Sequence, residues 1–281
     1  MDVLRLDPAA ALDLVGELLL AARAEGELSY GILTRVASDP TAYGDDVIVL
    51  VGTSHGEPLA LVSKTGVFPA LVTGFADPAD VDFAALAAAM LDAGVRPEST
   101  NGPTRWVEPF ADAWAGLGAS ITPGRETRAF ELHTLRPPRD PGGVCRLAAD
   151  EDADVLVPWT IAFWRDVDEP LGEDAAAATV ARLTNQRDLP VWELDGGIVS
   201  MAAVVRRTPR SSTIAFVYTP PELRGRGYAS AVVAALTQRE LDAGQQWCAL
   251  FTDLANPTSN HIYQALGYEP RADFRMLELE W

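Results

Sequence analysis

The stretch from Thr213 to Val233 constrains this chain more than any other. Its first part, Thr213 to Thr219, is β-branched and aromatic and predicts a strand. Pro220 and Pro221 have no N–H to give to a ladder, so the strand stops there. Arg224-Gly225-Arg226-Gly227 follows as a tight loop. From Tyr228 the apolar positions take helical spacing, with Tyr228, Val232, Ala235 and Leu236 on one face. Gly244 stands where a C-terminal cap belongs. Strand, glycine loop and helix in that order leave open N–H groups at the helix start, where the helix dipole favours an anion. Gly225 and Gly227 allow close approach of the backbone, and Arg224 and Arg226 add positive charge. A lone Gly-x-Gly is more often an ordinary β–α connection than a phosphate site, so its neighbours must decide.

The neighbours narrow the reading. No Gly-Lys-Ser/Thr is present, which excludes a Walker loop. A dinucleotide fingerprint needs a third glycine as well as an acidic residue at the end of the next strand, and this loop is not one. Arg224-x-x-Gly227-x-Ala229 resembles the acyl-CoA signature Gln/Arg-x-x-Gly-x-Gly/Ala of the GCN5-related N-acetyltransferases (GNAT). After the helix comes a second apolar strand, Trp247 to Thr252. The segment Asn256 to Tyr268 then is similar to the family's Asn-x-x-Ser/Ala-x-x-x-Tyr-x-x-x-Gly-Phe/Tyr. The two motifs stand in the family's order and spacing. The resemblance covers about the last half of the chain and implies an α/β chain with the GNAT fold, a mixed, mostly antiparallel sheet flanked by helices.

The chain has 281 residues, 48% of them hydrophobic, enough for one large domain or two of about 140 residues with separate cores. The formal net charge of −18 repels nucleic acid and anionic membranes, so neither is an expected partner. Cys145 and Cys248 are too few for a disulfide framework, which points to a reducing, cytoplasmic location. His55, His133 and His261 show no metal-ligand spacing with them, and no metal is expected. Leu12 to Ala22 is apolar but broken by Asp13 and Glu17, as in an amphipathic helix rather than a signal peptide. No run reaches membrane-spanning length. A monomer or homodimer is expected.

In chain order, helices are predicted at about 9–24 and 28–37 and strands at 46–52, 59–64 and 70–75. A helix over 81–93, a turn at Asn101-Gly102-Pro103, a helix over 105–117 and a strand over 127–132 follow. Leu135 to Gly143 holds three prolines and two glycines in nine residues and is the best boundary in the chain. Beyond it the order repeats: a strand at 144–147, helices at 152–164 and 174–186, and a hairpin of 191–194 with 198–205 around Asp195-Gly196-Gly197. The central strand, loop and helix come next, then a strand, a helix at 258–265 and a last strand, Arg275 to Glu280, closing the second sheet. The halves read as a weak structural repeat. Where the second half has its glycine loop, the first has Gly74 to Asp80, which brings Asp77 and Asp80 to a helix start and repels a pyrophosphate. Residues 1–137 are therefore expected to form a degenerate GNAT-like lobe without a cofactor site, and 144–281 the catalytic domain.

The resemblance implies acetyl transfer from acetyl-CoA, as co-substrate, to a primary amine by direct attack. Such chemistry needs a seat for the thioester, a route for the amine proton and an acid for the leaving thiolate. By resemblance, the backbone of Val217, Tyr218 and Thr219 bonds the pantetheine. Thr219 to Leu223 is one residue longer than the family's commonest form, which leaves the donors open by one position. Arg224, Gly225, Arg226, Gly227, Tyr228, Ala229 and Ser230 hold the pyrophosphate in a nest at a helix N-terminus. Tyr263 matches the family's tyrosine acid, and a phenol with its ordinary pKa of about 10 keeps its proton at neutral pH. Asn256 and Ser259 either hold pantetheine or cap the short helix. Asp253, just past the second strand, is the candidate base. Asp166, Asp168 and Glu169 add negative charge on the presumed acceptor side, which favours a cationic amine, small or peptide-like. The alternatives are a glycine N-acyltransferase-like enzyme using another acyl-CoA, and an acyl-CoA-binding sensor without turnover.

Overall fold

The computed structural model describes residues 1–44, 46–167 and 172–281. In chain order its elements are β1 (Asp2–Arg5), α1 (Pro8–Ala21), α2 (Glu27–Ser38), β2 (Val47–Ser54), β3 (Glu57–Thr65) and β4 (Ala70–Gly74). Next come α3 (Phe83–Asp92), β5 (Ser99–Pro103), α4 (Thr104–Gly116), β6 (Ser120–Leu132), β7 (Val144–Leu147), α5 (Ala153–Asp166) and α6 (Glu173–Asn185). The remainder are β8 (Pro190–Leu194), β9 (Gly197–Arg207), β10 (Ser211–Tyr218), α7 (Tyr228–Asp242), β11 (Trp247–Asp253), α8 (Pro257–Leu266) and β12 (Glu269–Glu280).

The chain divides into two compact units, Met1–Ala129 with Arg271–Trp281, and Phe130–Pro270. In the first, the strand order is β1-β2-β3-β4-β5-β12-β6, with β4 and β5 parallel and β5 antiparallel to β12. Helix α1 starts at Pro8 because Asp7 accepts hydrogen bonds from the N–H groups of Ala9 and Ala10, at 3.1 and 3.0 Å. Its Ala11, Val15 and Leu19 recur at a spacing of four and pack on Val49, Val51 and Leu61 of the sheet. The opposite face carries the larger core, where Trp106, Phe110 and Trp114 of α4 are almost fully buried.

In the second unit the order is β11-β10-β9-β8-β7, with β10 and β11 parallel. Strand β9 is apolar without a break from Met201 to Val205, where both its faces are covered. Ala202 and Val204 pack with α7 residues on one side, and Met201 and Ala203 with α5 and α6 residues on the other.

Three expectations change. Asn101-Gly102-Pro103 is strand, not turn: these residues pair with Met276, Arg275 and Phe274. Gly102 is there for space, since a Cβ on it would meet the Val72 carbonyl oxygen at 2.4 Å. The last strand does not close the second unit's sheet but belongs to the first unit, in register Phe274↔Pro103 to Glu278↔Ser99. Leu135 to Gly143 accordingly lies inside the second unit, and the change of unit falls within β6, between Ala129 and Phe130. Proline and glycine content marks where a backbone cannot continue an element; it carries no information on which strands pair across long sequence separations. Strand β1 has no expected counterpart.

Candidate functional site

The β10–β11 register runs Ser211↔Trp247, Ser212↔Cys248, Thr213↔Ala249 and Ile214↔Leu250, and among the described residues it ends there. The reason lies in β10. Its register with β9 shifts between Ala215 and Tyr218, and Phe216 has a φ of 53°. A bulge of this kind bends and twists its strand. A positive φ at a bulky residue costs about 1–3 kcal/mol and persists only where the surroundings hold it. Here α5 holds it, with the Phe216 ring 5.0 Å from that of Phe163 and 5.7 Å from that of Trp164. The end of β10 therefore leaves β11 with unpaired backbone.

The three residues expected to use that backbone are not equivalent. The Tyr218 carbonyl accepts from Ser200 Oγ at 3.1 Å, on the β9 side. Peptide groups alternate in direction along a strand, so Val217 is the residue of β10 that turns toward the gap, while Thr219 lies beyond the strand. The Thr219 carbonyl accepts from Arg224 Nε at 2.9 Å, and its hydroxyl lies 2.9 Å from Ser200 Oγ.

After Pro220 the loop makes one short turn, Pro221–Leu223, and reaches the two glycines. Gly225 has a φ of 76° and Gly227 of 90°, the left-handed region that a side chain disfavours. Gly227 is the N-cap of α7 and no side chain caps the helix. Its first internal bond is from Ala231 N–H to the Gly227 carbonyl at 3.0 Å, which leaves the N–H groups of Tyr228, Ala229 and Ser230 without a helical partner. The residues from Arg224 to Gly227 are exposed, so the nest opens to solvent. Arg224 turns back from it. Its guanidinium lies 3.3 Å from Asp166 and 5.8 Å from the centre of the Tyr218 ring, and ties the loop to the end of α5. Arg226 donates to the Glu222 carbonyl at 3.3 Å.

Tyr263 sits on α8 in the same apolar cluster as Val232 and Leu250, against which Val217 also packs. Its ring centre is 6.0 Å from that of Tyr268. The two phenols differ: Tyr268 OH lies 2.7 Å from Thr237 Oγ1, while Tyr263 OH has no such partner among the described residues. Burial raises the Tyr263 phenol above its ordinary pKa, so it holds its proton across the neutral range. Asn256 Oδ1 accepts from Ser259 N–H at 3.1 Å and caps α8. Asp253 is exposed; its Oδ1 accepts from Ala255 N–H at 2.6 Å, and its carbonyl accepts from Asn260 Nδ2 at 3.2 Å. Asp168 and Glu169 lie outside the described residues. Among the described residues, no group of three or more His, Cys, Asp or Glu side chains is placed to hold a metal, and no helix is long and apolar enough to cross a membrane.

The sequence reading missed Phe216. Nothing in Thr213 to Thr219 marks a bulge, because each residue there suits a regular strand; the ring's partners come from a helix some fifty residues earlier. Ser200 and Asp166 were likewise invisible as partners of Thr219 and Arg224.

Residues 194–276 match the family model of FR47-like proteins, a span that includes both motifs. No curated protein sequence matches the chain. A GNAT-family acetyltransferase from Colwellia psychrerythraea is similar in structure over 100% of both chains, at 11% identity and a TM-score of 0.62. A GCN5-related N-acetyltransferase from Sphaerobacter thermophilus is similar over 98% of this chain and 94% of its own, at 16% identity and a TM-score of 0.67. A tandem GNAT protein from the clavulanic acid biosynthesis pathway is similar over 98% of this chain and 97% of its own, at 15% identity and a TM-score of 0.59. The chain has the GNAT fold, as the two motifs implied, and the similarity runs over both units.

Proposed function

We propose that this protein is an N-acetyltransferase that moves the acetyl group of acetyl-CoA to a primary amine. The observation that carries this reading is the early end of the β10–β11 register beside an uncapped, glycine-bounded helix start, with Tyr263 on the helix after β11. The residues fit the co-substrate. Val217 offers backbone toward the gap for the pantetheine amides, and Gly225 to Ser230 form a positively polarised nest for the pyrophosphate. Arg224 shapes that nest through Thr219 and Asp166, and Arg226 adds charge at its rim.

Bound acetyl-CoA supplies an activated acyl carbon: the amine nitrogen bonds to it, the C–S bond breaks, and the products are an amide and CoA thiol. Tyr263 OH donates to the departing sulfur. A thiol's ordinary pKa is about 8.5, below that of the buried phenol, so full transfer runs uphill and a strong hydrogen bond is the main help. Asp253 takes the amine proton through its second oxygen, directly or by way of water. A field set by a net charge of −18 concentrates cationic amines, which makes a small or peptide-like cation the acceptor class.

For the first unit we propose no acyl-CoA site. Its β4–β5 register covers Ala70↔Thr100 and Leu71↔Asn101, and the strands stay close beyond it, since a Cβ on Gly102 would meet the Val72 carbonyl oxygen at 2.4 Å. The end of β4 is covered by α4, where a Cβ on Gly74 would meet the Trp106 ring at 2.3 Å. The start of α3 is closed as well, because Asp82 accepts from Ala85 N–H at 3.0 Å and Asp77 from Ala79 N–H at 2.9 Å.

Thiol release from acetyl-CoA with a mixed amine library tests the activity. An amine that gains an acetyl group as thiol appears supports it; tight CoA binding with no turnover across the library replaces the enzyme by a sensor.

A further inference from the structure

A groove of about 270 Å³ lies along one face of α7 in the second unit. Its floor is Ala231, Ala234, Ala235 and Gln238, at spacings of three and four that put them in one row. Its wall is the segment from Leu135 to Pro141, whose three prolines fix its shape, and Trp192 of β8 closes one side. Trp192 Nε1 donates to the Gly142 carbonyl at 2.8 Å and pins the segment.

Two features tie this groove to the glycine loop. Pro141 Cβ is 3.6 Å from where a Cβ on Gly227 would stand, so the wall reaches the nest. Ala231, the first floor residue, follows Gly227 by one helical turn, about 6 Å of rise. A third feature is charge. Arg139 is exposed at the rim and has no hydrogen bond or ion pair among the described residues, whereas Asp140 Oδ1 already accepts from Gly142 N–H at 2.8 Å.

We propose that this groove receives the adenosine 3′-phosphate half of CoA, a claim that rests on the pyrophosphate lying on Gly225 to Ser230. The purine lies on the alanine floor between the prolines and the Trp192 indole, surfaces that take a flat aromatic base without reading it. Arg139 pairs with the 3′-phosphate. The volume suits this division: whole small-molecule sites span about 300–1,000 Å³, and here the groove takes one half of a ligand whose other half lies on the loop and β10. In this reading the segment from Leu135 to Gly143 is a wall of the co-substrate site.

Calorimetry with CoA, dephospho-CoA and 4′-phosphopantetheine tests it on the full chain. Ala235→Trp fills the floor and is expected to weaken CoA at least about tenfold while leaving 4′-phosphopantetheine unchanged. Arg139→Glu, at an exposed site where folding is not at stake, is expected to weaken CoA several-fold and leave dephospho-CoA unchanged. CoA binding as in wild type by both variants, with binding lost in Gly227→Asp, overturns the groove and leaves the loop standing. No CoA binding by the wild-type protein overturns the loop reading, and the groove with it.

Discussion

The parallel pairs β10–β11 and β4–β5 stand in the same order of elements and differ in what lies at their ends. In each, one helix follows the first strand and another follows the second. In the second unit the first of these helices starts at a glycine with φ near 90° and has no side-chain cap. In the first unit it starts at Asp82, whose carboxylate occupies the helix end. In the second unit a bulge at Phe216 turns the strand end outward under α5. In the first, Gly74 ends the strand in contact with Trp106. The fold supplies a helix dipole behind a parallel strand pair twice, and a few side chains decide whether it is available: at the start of α3 the Asp82 carboxylate takes an N–H that the uncapped start of α7 leaves open.

The largest effect that sharpens this contrast is expected from making the second loop resemble the first. Gly227→Asp puts a carboxylate beside the pyrophosphate. Two unit charges about 4 Å apart at an effective dielectric of about 20 repel by about 4 kcal/mol, roughly a thousandfold in affinity. Calorimetry with acetyl-CoA on the folded variant is expected to show that loss; unchanged affinity gives the loop another role. Arg224→Glu is expected to act in the same direction.

The next largest effect is on turnover. Tyr263→Phe removes only the hydroxyl and is expected to lower kcat by about 10²–10⁴-fold, with a much smaller change in acetyl-CoA affinity. Turnover close to wild type makes Tyr263 a packing residue like Tyr268.

Trp106 is a stability feature of the first unit's core. Trp106 is 1% exposed and its Nε1 is buried without a hydrogen-bond partner among the described residues. Trp106→Ala is expected to cost about 3–5 kcal/mol in denaturant unfolding and to create no second CoA site, since Asp82 still caps α3. Trp106→Phe keeps most of the ring and removes the orphaned N–H, so its cost is expected to be smaller. A second CoA site in Trp106→Ala breaks the comparison as drawn.

The smallest effect concerns the acceptor. Steering by negative charge predicts that kcat/KM for a cationic amine falls a few-fold as ionic strength rises, beyond any change for acetyl-CoA. A preferred anionic amine without that dependence leaves the surface charge unconnected to catalysis.

What the sequence made legible follows from how local each signal is. The strand, the proline stop, the glycine loop and α7 were readable because steric and hydrogen-bonding limits act within a few residues. The helix cap at Asn256 was readable for the same reason, though its role as cap rather than ligand needed Oδ1 seen on Ser259 N–H. The acidic start of α3 was readable, but Asp77 and Asp80 were named where Asp82 is the residue that caps the helix. Long-range pairings stayed hidden. Residues Asn101 to Pro103 look like a turn until β12 pairs with them across more than 170 residues of chain. Phe216 looks like ordinary strand until Phe163 and Trp164 hold its ring. The segment from Leu135 to Gly143 looks like a linker, and its composition fits that, yet it packs along α7 within one unit.

The most direct test of the difference between the two units is the stoichiometry of CoA binding to the intact chain, read by calorimetry for the wild type and for Gly227→Asp. One CoA per chain, lost in the variant, is the predicted result. Two CoA per chain, or one that survives Gly227→Asp, contradicts it.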